Sequence, residues 1–262
     1  MSILKEIADA SLLIAQNQQK VFDSGKAEGV KSEYDRFWDS FQNNGNADYY
    51  PYAFGGPGWA ADGLLPPKYP ITLRKAISSS QGMFVKFDRP ASIDYNKPLY
   101  DLSAVCAKID FSKVTQARET FRDARARNIN IDLSGCNTLY YTFASGDGGQ
   151  LNNITLKVSD TLTTIQYAFY YQSAMTHLTF AEGSVIACNG LDLQWSTSLN
   201  NTSITSIINA LSTTTTGKSI TLSKTAVNKA FGINVDDTTT YPEGSEYYNL
   251  RHSKDNWTIN YV

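Results

Sequence analysis

The stretch "LNNITLKVSDTLTTIQYAFYYQSAMTHLTF", Leu151 to Phe180, carries the clearest pattern in the chain. It contains two apolar–polar–apolar triplets, Ile154-Thr155-Leu156 and Leu178-Thr179-Phe180. Alternation with a period of two predicts that each triplet is a short strand whose outer side chains point into a core. Phe169 lies between the triplets and supplies a second apolar anchor. The stretch therefore predicts a strand, a turn with a buried ring, and a further strand.

Two similar triplets come earlier, Ile109-Asp110-Phe111 and Ile131-Asp132-Leu133. The four triplets start 22, 23 and 24 residues apart. Phe121 and Phe143 follow the earlier triplets as Phe169 follows the third. A period near 23 is typical of a solenoid, in which each repeat stacks its apolar face on its neighbours.

The third repeat resembles the leucine-rich repeat of the BspA type. The matching residues are Leu151, Ile154, Leu156, Ile165, Ala168, Phe169, Met175 and Leu178. The resemblance covers roughly residues 99–195 and implies a leucine-rich-repeat β-solenoid. Gln172 or Ser173 stands where the family usually has a cysteine.

Five tyrosines do not fit the inward pattern, namely Tyr140, Tyr141, Tyr167, Tyr170 and Tyr171. We expect them on one face of the domain. Tyrosine combines a flat apolar ring with a polar tip, so such a face predicts a binding surface. The alternative interpretation is that the rings cover the edge of the core or contact another subunit.

The N-terminal segment has a heptad seam formed by Ile3, Ile7, Ala10, Ile14, Asn17 and Val21. A seam of this kind predicts a coiled coil, and a short helix gains most of its stability from a partner. The hypothesis is a homotrimer, with Asn17 fixing the register. The alternative is an amphipathic helix that packs on its own domain.

The predicted fold class is α+β. N-terminal helices form a coiled-coil oligomerisation and docking segment, residues 1–46, and a Gly/Pro/Tyr-rich ordered linker follows at 47–98. A leucine-rich-repeat β-solenoid domain fills 99–262, and its helix/strand C-terminal cap begins at about 191. Within the cap, Ile204, Ile207, Ile208 and Leu211 predict the buried face of a short helix.

Several segments are similar to repeat proteins of phages and prophages of gut Firmicutes. They are Glu33–Asn46, Tyr52–Trp59, Pro66–Ile71 and Leu191–Leu211. The resemblance implies a non-enzymatic phage structural protein of the virion, either a tail fibre or baseplate component or a receptor-binding protein that attaches to the host surface. The partners would be other virion proteins at the N-terminal helices and a host glycan or protein. One alternative is a head fibre or capsid decoration protein; another is a bacterial leucine-rich-repeat adhesin or interaction scaffold.

Composition argues against several other classes. The net charge is −2, so no basic field exists to hold a nucleic acid. No run of apolar residues is long enough to span a membrane. Cys106, Cys136 and Cys188 are isolated and predict buried free thiols. His177 and His252 are too few for most metal sites, and we expect no metal or cofactor.

No catalytic motif is present, so the sequence predicts a protein that is not an enzyme. A glycan hydrolase remains the alternative and would need a pair of acidic side chains on one face. In "QARETFRDARAR", Gln116 to Arg127, three arginines share one face of a predicted helix: Arg118, Arg122 and Arg125. They indicate either an anionic partner or a solvated charged face.

Overall fold

A computed structural model describes residues 71–72, 84, 98–112, 114–146 and 150–262. All of them lie in one compact unit, Gly45–Val262. The predicted helical segment 1–46, including the seam and the homotrimer built on it, lies outside the described residues. Only a few residues of the predicted linker 47–98 are described, and among them residues 71–72 and Phe84 contact the domain that follows.

The described residues form eleven strands and four α-helices, together with a short 3-10 helix at Thr238–Thr240. The first eight strands are β1 (Ile71–Thr72), β2 (Tyr100–Asp101), β3 (Ile109–Asp110), β4 (Arg125–Arg127), β5 (Ile129–Asp132), β6 (Gln150–Leu151), β7 (Asn153–Lys157) and β8 (His177–Phe180). The last three are β9 (Asp192–Leu193), β10 (Lys218–Leu222) and β11 (Trp257–Tyr261). The helices are α1 (Ser103–Cys106), α2 (Asn201–Ala210), α3 (Lys224–Phe231) and α4 (Glu246–His252).

All strand pairing in this part of the chain is parallel, and it is divided among four small sheets. Strand β1 pairs with β3. The orders of the three-stranded sheets are β2-β4-β6, β5-β7-β8 and β11-β10-β9. Parallel strands need a connection that returns the chain to the same end of the sheet, and here turns and short helices serve that purpose.

The predicted fold class is wrong. Over the described residues, the chain is mixed α/β with small parallel sheets and four helices, and this region contains no leucine-rich-repeat solenoid. The four predicted triplets do not share one sheet, because Ile109 pairs with Ile71 in the separate two-stranded sheet. The third sheet, which contains β9, is likewise separate from the one that ends at β8.

The register also differs from the predicted spacing. In the sheet β5-β7-β8, Ile129 pairs with Ile154, and Ile154 pairs with Leu178. The predicted triplet that begins at Ile131 is therefore shifted by two residues. Because side chains alternate with a period of two, a two-residue slip leaves the same side chains facing inward. The apolar pattern alone therefore cannot distinguish the predicted register from the observed one.

Helix α2 closes the edge of the sheet at β8. The side-chain oxygens of Ser203 and Ser206 accept hydrogen bonds from the backbone N–H groups of Leu178 and Phe180, at 3.0 Å and 2.8 Å. The helix starts after Asn200, whose side chain accepts from the N–H of Ser203. The predicted buried face of α2 is confirmed. Hydroxyl groups thus replace a fourth strand and end the sheet.

A column of four phenylalanine rings lies in the core: Phe84, Phe121, Phe143 and Phe169. Successive ring centroids are 4.9, 5.5 and 5.3 Å apart, with planes within 8° of parallel. We call this set the Phe column. Each of the four rings is at most 1% exposed. Burying one such ring contributes about 1.5–3 kcal/mol to folding, so the column is a main source of stability.

Candidate functional site

Three neighbouring turn segments, 117–124, 138–145 and 164–172, position the predicted tyrosines. Backbone hydrogen bonds join the segments, with Leu139 donating to Thr164, Phe143 to Ala168 and Ser145 to Tyr170. Each segment sends one phenylalanine inward to the Phe column. The tyrosines lie within three residues of Phe143 or Phe169 in the chain and are at least partly exposed, so consecutive segments place them next to one another.

The structure brings the five predicted tyrosines together on one surface and adds a tryptophan. We call this set the aromatic surface, and its members are Tyr140, Tyr141, Tyr167, Tyr170, Tyr171 and Trp195. Trp195 was not among the predicted site residues. It lies 24 residues after Tyr171, close to the spacing between neighbouring turns, so the repeat spacing could have predicted its place on this surface.

The rings form a continuous network. Tyr141 and Tyr167 stack on each other, with centroids 5.1 Å apart and planes at 17°. Tyr140 and Tyr170 meet these rings edge to face at 4.6–6.2 Å. Tyr171 lies 4.2 Å from Tyr170. Each such pair contributes about 0.5–1.5 kcal/mol beyond area burial, so the network holds its own rings in place.

Exposure is greatest at the end of the network that Tyr171 and Trp195 form. Tyr140, Tyr141, Tyr167 and Tyr170 are half-buried, because they cover one another's faces. Tyr171 is 43% exposed and Trp195 is 40% exposed, and their centroids are 4.4 Å apart with planes tilted by 38°. This pair is the place on the surface where ring faces are most open to a ligand.

Three of the tyrosines have an unusual backbone conformation. The φ angles of Tyr141, Tyr167 and Tyr171 are 54°, 57° and 56°, in the left-handed region. For a residue with a side chain this conformation costs roughly 1–2 kcal/mol, and Asn or Asp tolerates it better than an aromatic residue. Each of these tyrosines therefore sits where a smaller residue would suit the backbone better.

The tyrosine hydroxyls interact in pairs. Loss of water contact and the neighbouring Tyr140 hydroxyl raise the pKa of Tyr141. Hydrogen bonding to Tyr171, followed by loss of water contact, raises the pKa of Tyr170. An ordinary tyrosine already titrates only near pH 10. Both hydroxyls therefore remain neutral at physiological pH and present a donor and an acceptor.

Two arginines flank the far end of the aromatic surface. The Arg118 guanidinium carbon lies 5.2 Å from the centroid of Tyr140, and that of Arg122 lies 5.4 Å from Tyr141. Both distances fit cation–π contacts. Arg118 and Arg122 also lie 3.5 Å from carboxylate oxygens of Glu119, and Arg122 lies 3.7 Å from Asp123.

The predicted helix at Gln116–Arg127 is wrong. Residues 118–123 form turns, and 125–127 form β4. Arg125 therefore does not share a face with Arg118 and Arg122. It is buried and donates to the Oε1 atom of Gln150 at 3.3–3.4 Å. The spacing of the arginines predicted a helix, but consecutive turns can also bring residues 118 and 122 to one side of the chain.

The remaining candidates carry no reactive chemistry. The prediction of buried free thiols is confirmed for Cys106, Cys136 and Cys188. Burial raises the pKa of Cys106 to about 12 and also raises the pKa values of the other two thiols, so all three stay protonated. His177 is exposed at the start of β8, where its Nδ1 lies 3.0 Å from the Oδ1 of Asn153.

Within the described ranges, no group of three or more His, Cys, Asp or Glu is placed to hold a metal ion. None of the helices in those ranges is long and apolar enough to cross a membrane. Comparison of the chain with protein-family models, curated proteins and solved structures gives no match.

Proposed function

We propose that the chain is a non-enzymatic phage structural protein that attaches the virion to the host cell surface, with the aromatic surface as its receptor-binding site. The observation that carries the proposal is the continuous network of six aromatic rings that ends in the two open faces of Tyr171 and Trp195. Tyr141, Tyr167 and Tyr171 also have a left-handed backbone, which is costly for an aromatic residue and often occurs at functional sites. Glu119 and Asp123 have the same conformation in the neighbouring segment, so the turn geometry recurs and the aromatic side chains are what distinguishes this surface.

The chemistry of the surface also supports attachment. Tyrosine, tryptophan and arginine are the residues that contribute most to binding energy in protein complexes. Here the rings support one another through close contacts, so they are ordered before a ligand arrives. An ordered surface loses little conformational entropy on binding.

The place in the virion rests on the resemblance of Glu33–Asn46 and Leu191–Leu211 to phage proteins. In this proposal the N-terminal helices form a homotrimer and dock it to other virion proteins. Three linked copies of one aromatic surface raise the effective affinity without a deep pocket. This arrangement suits a receptor that is repeated many times on a cell.

The proposal is tested by a pull-down of the full-length protein with intact cells of candidate host bacteria. The variant is Tyr170→Ala/Tyr171→Ala, and Tyr248→Ala on α4 is the matched control, because Tyr248 is half-buried and lies outside the aromatic surface. We expect saturable binding that is lost in the double variant and kept in the control. Absence of binding to every host, or full binding by the double variant, would contradict the proposal.

A further inference from the structure

The charge that faces outward beside the aromatic surface is positive, although the local charges sum to zero. Arg118 and Arg122 have side chains that are 49% and 40% exposed. Their acidic partners lie beneath them, since Glu119 is 15% exposed and Asp123 only 3%. Asp123 also accepts a hydrogen bond from the N–H of Gly146 at 2.5 Å. A ligand on this side therefore meets guanidinium groups rather than carboxylates.

The exposed apolar area on the aromatic surface is small. Among the described residues, the only large hydrophobic side chains that are strongly exposed are Tyr171, Trp195 and the C-terminal Val262. A stable protein–protein interface buries roughly 800 Å² on each partner around an apolar centre. Two partly open rings with hydroxyls beside them suit the face of one sugar ring better than the core of a protein interface.

The two ends of the network thus offer different chemistry on one continuous surface. Tyr171 and Trp195 offer open ring faces, and Arg118 and Arg122 offer donors for an anion. Tyrosine rings connect the ends through contacts of 6.2 Å or less between centroids. Because four ring contacts separate the two ends, a chain-like ligand suits this surface.

We infer that the ligand is a saccharide chain that carries acidic groups, with sugar rings on Tyr171 and Trp195 and a carboxylate or phosphate at Arg118 and Arg122. The inference rests on the proposed function and specifies the class of its receptor. Guanidinium groups bind both kinds of acid through charge-assisted hydrogen bonds.

The charge requirement is tested with the variant Arg118→Gln/Arg122→Gln on intact host cells. The matched control is Arg127→Gln, because the Arg127 side chain is 52% exposed but pairs with Asp101. We expect at least a tenfold loss of affinity at low ionic strength in the double variant and less than a twofold change in the control. The wild-type protein should also lose affinity as salt rises.

The chemical class is tested by treating the cells. Periodate cleaves vicinal diols of sugars, and a protease removes surface proteins. Carbodiimide with an amine caps carboxylates, and hydrofluoric acid removes phosphodiester-linked glycans, so these two arms separate the sources of the acid. We expect periodate and one of the two acid-directed treatments to abolish binding.

Two results would overturn the inference while leaving the proposed function intact. In one, wild-type protein binds cells and the arginine double variant binds equally well. In the other, protease abolishes binding and periodate does not, which would make the receptor a protein. Absence of wild-type binding to any host would remove the proposed function together with the inference.

Discussion

Two sets of aromatic rings lie mainly on the same three turn segments, one inside the domain and one at its surface. The Phe column is buried, with neighbouring planes within 8° of parallel. The aromatic surface mixes stacked and edge-to-face contacts and ends in two open rings. Three of its tyrosines have positive φ, whereas none of the phenylalanines does. The same turns thus hold an inner set of rings that is fully buried and an outer set that is partly exposed, and the outer set is the one for which we propose binding.

The largest effect is expected in the Phe column. Phe143 lies between Phe121 and Phe169, so the substitution Phe143→Ala removes two ring contacts and leaves a cavity. We expect the free energy of unfolding to fall by about 3–5 kcal/mol in chemical denaturation. A loss below about 1 kcal/mol would show that the column is not the source of stability that its burial indicates.

A smaller effect is expected at Gln172, which connects its own turn segment to the segment of Phe143 and to β6. Its side chain is buried, donates to the carbonyl oxygen of Phe143 at 2.6 Å and accepts from the N–H of Leu151 at 3.2 Å. Gln172→Leu leaves both backbone groups unpaired, so we expect a loss of about 1–3 kcal/mol in unfolding free energy.

The same Gln172→Leu variant should also bind host cells more weakly, because Tyr171 is its neighbour in the chain. Gln172→Glu is the companion variant, since it keeps an acceptor for Leu151 and loses the donor to Phe143. We expect it to be more destabilised than the leucine variant, because a buried carboxylate loses its hydration and faces the carbonyl oxygen of Phe143. Wild-type stability in Gln172→Leu would refute the connecting role.

The smallest effect is expected from pH. Because the pKa values of Tyr141 and Tyr170 are raised above the ordinary tyrosine value, both hydroxyls are neutral between pH 6 and pH 9. Host-cell binding should therefore change less than twofold between pH 6 and pH 9. Above the ordinary tyrosine pKa the unfolded chain loses protons first, so stability should decrease there. A steep loss of binding by pH 8 would point to a titrating group outside this surface.

Local patterns predicted the rings well. The spacing of Phe121, Phe143 and Phe169 indicated buried anchors, and all three are buried. The five outward tyrosines were identified because they break the inward pattern, and they do lie together. Both predictions concern which side chains of a single turn point inward. A short stretch of sequence is enough to predict that direction.

The hydrophobic pattern could not predict how strands that are distant in the sequence pair with one another. Which strand pairs with which depends on hydrogen bonds between distant residues, as when β3 pairs with β1 and not with β5. The sheet ends at β8 because two serine hydroxyls of α2 accept from its backbone N–H groups. A hydrophobic pattern does not predict such contacts, because serine is polar and does not contribute to it. Trp195 was not predicted because the repeat spacing was defined by apolar core triplets, whereas Trp195 follows Tyr171, a residue of the outer surface, by 24 residues.

The central claim is that the aromatic surface is kept for binding and not for stability. The most direct measurement is Tyr171→Asn, in which unfolding free energy and host-cell binding are determined on the same preparation. Asparagine accepts the φ of 56° with less strain, and this gain offsets the lost contacts with Tyr170 and Trp195. We expect stability within about 1 kcal/mol of the wild type and at least a tenfold loss of binding. A loss of roughly 2 kcal/mol or more in stability with wild-type binding would contradict the claim.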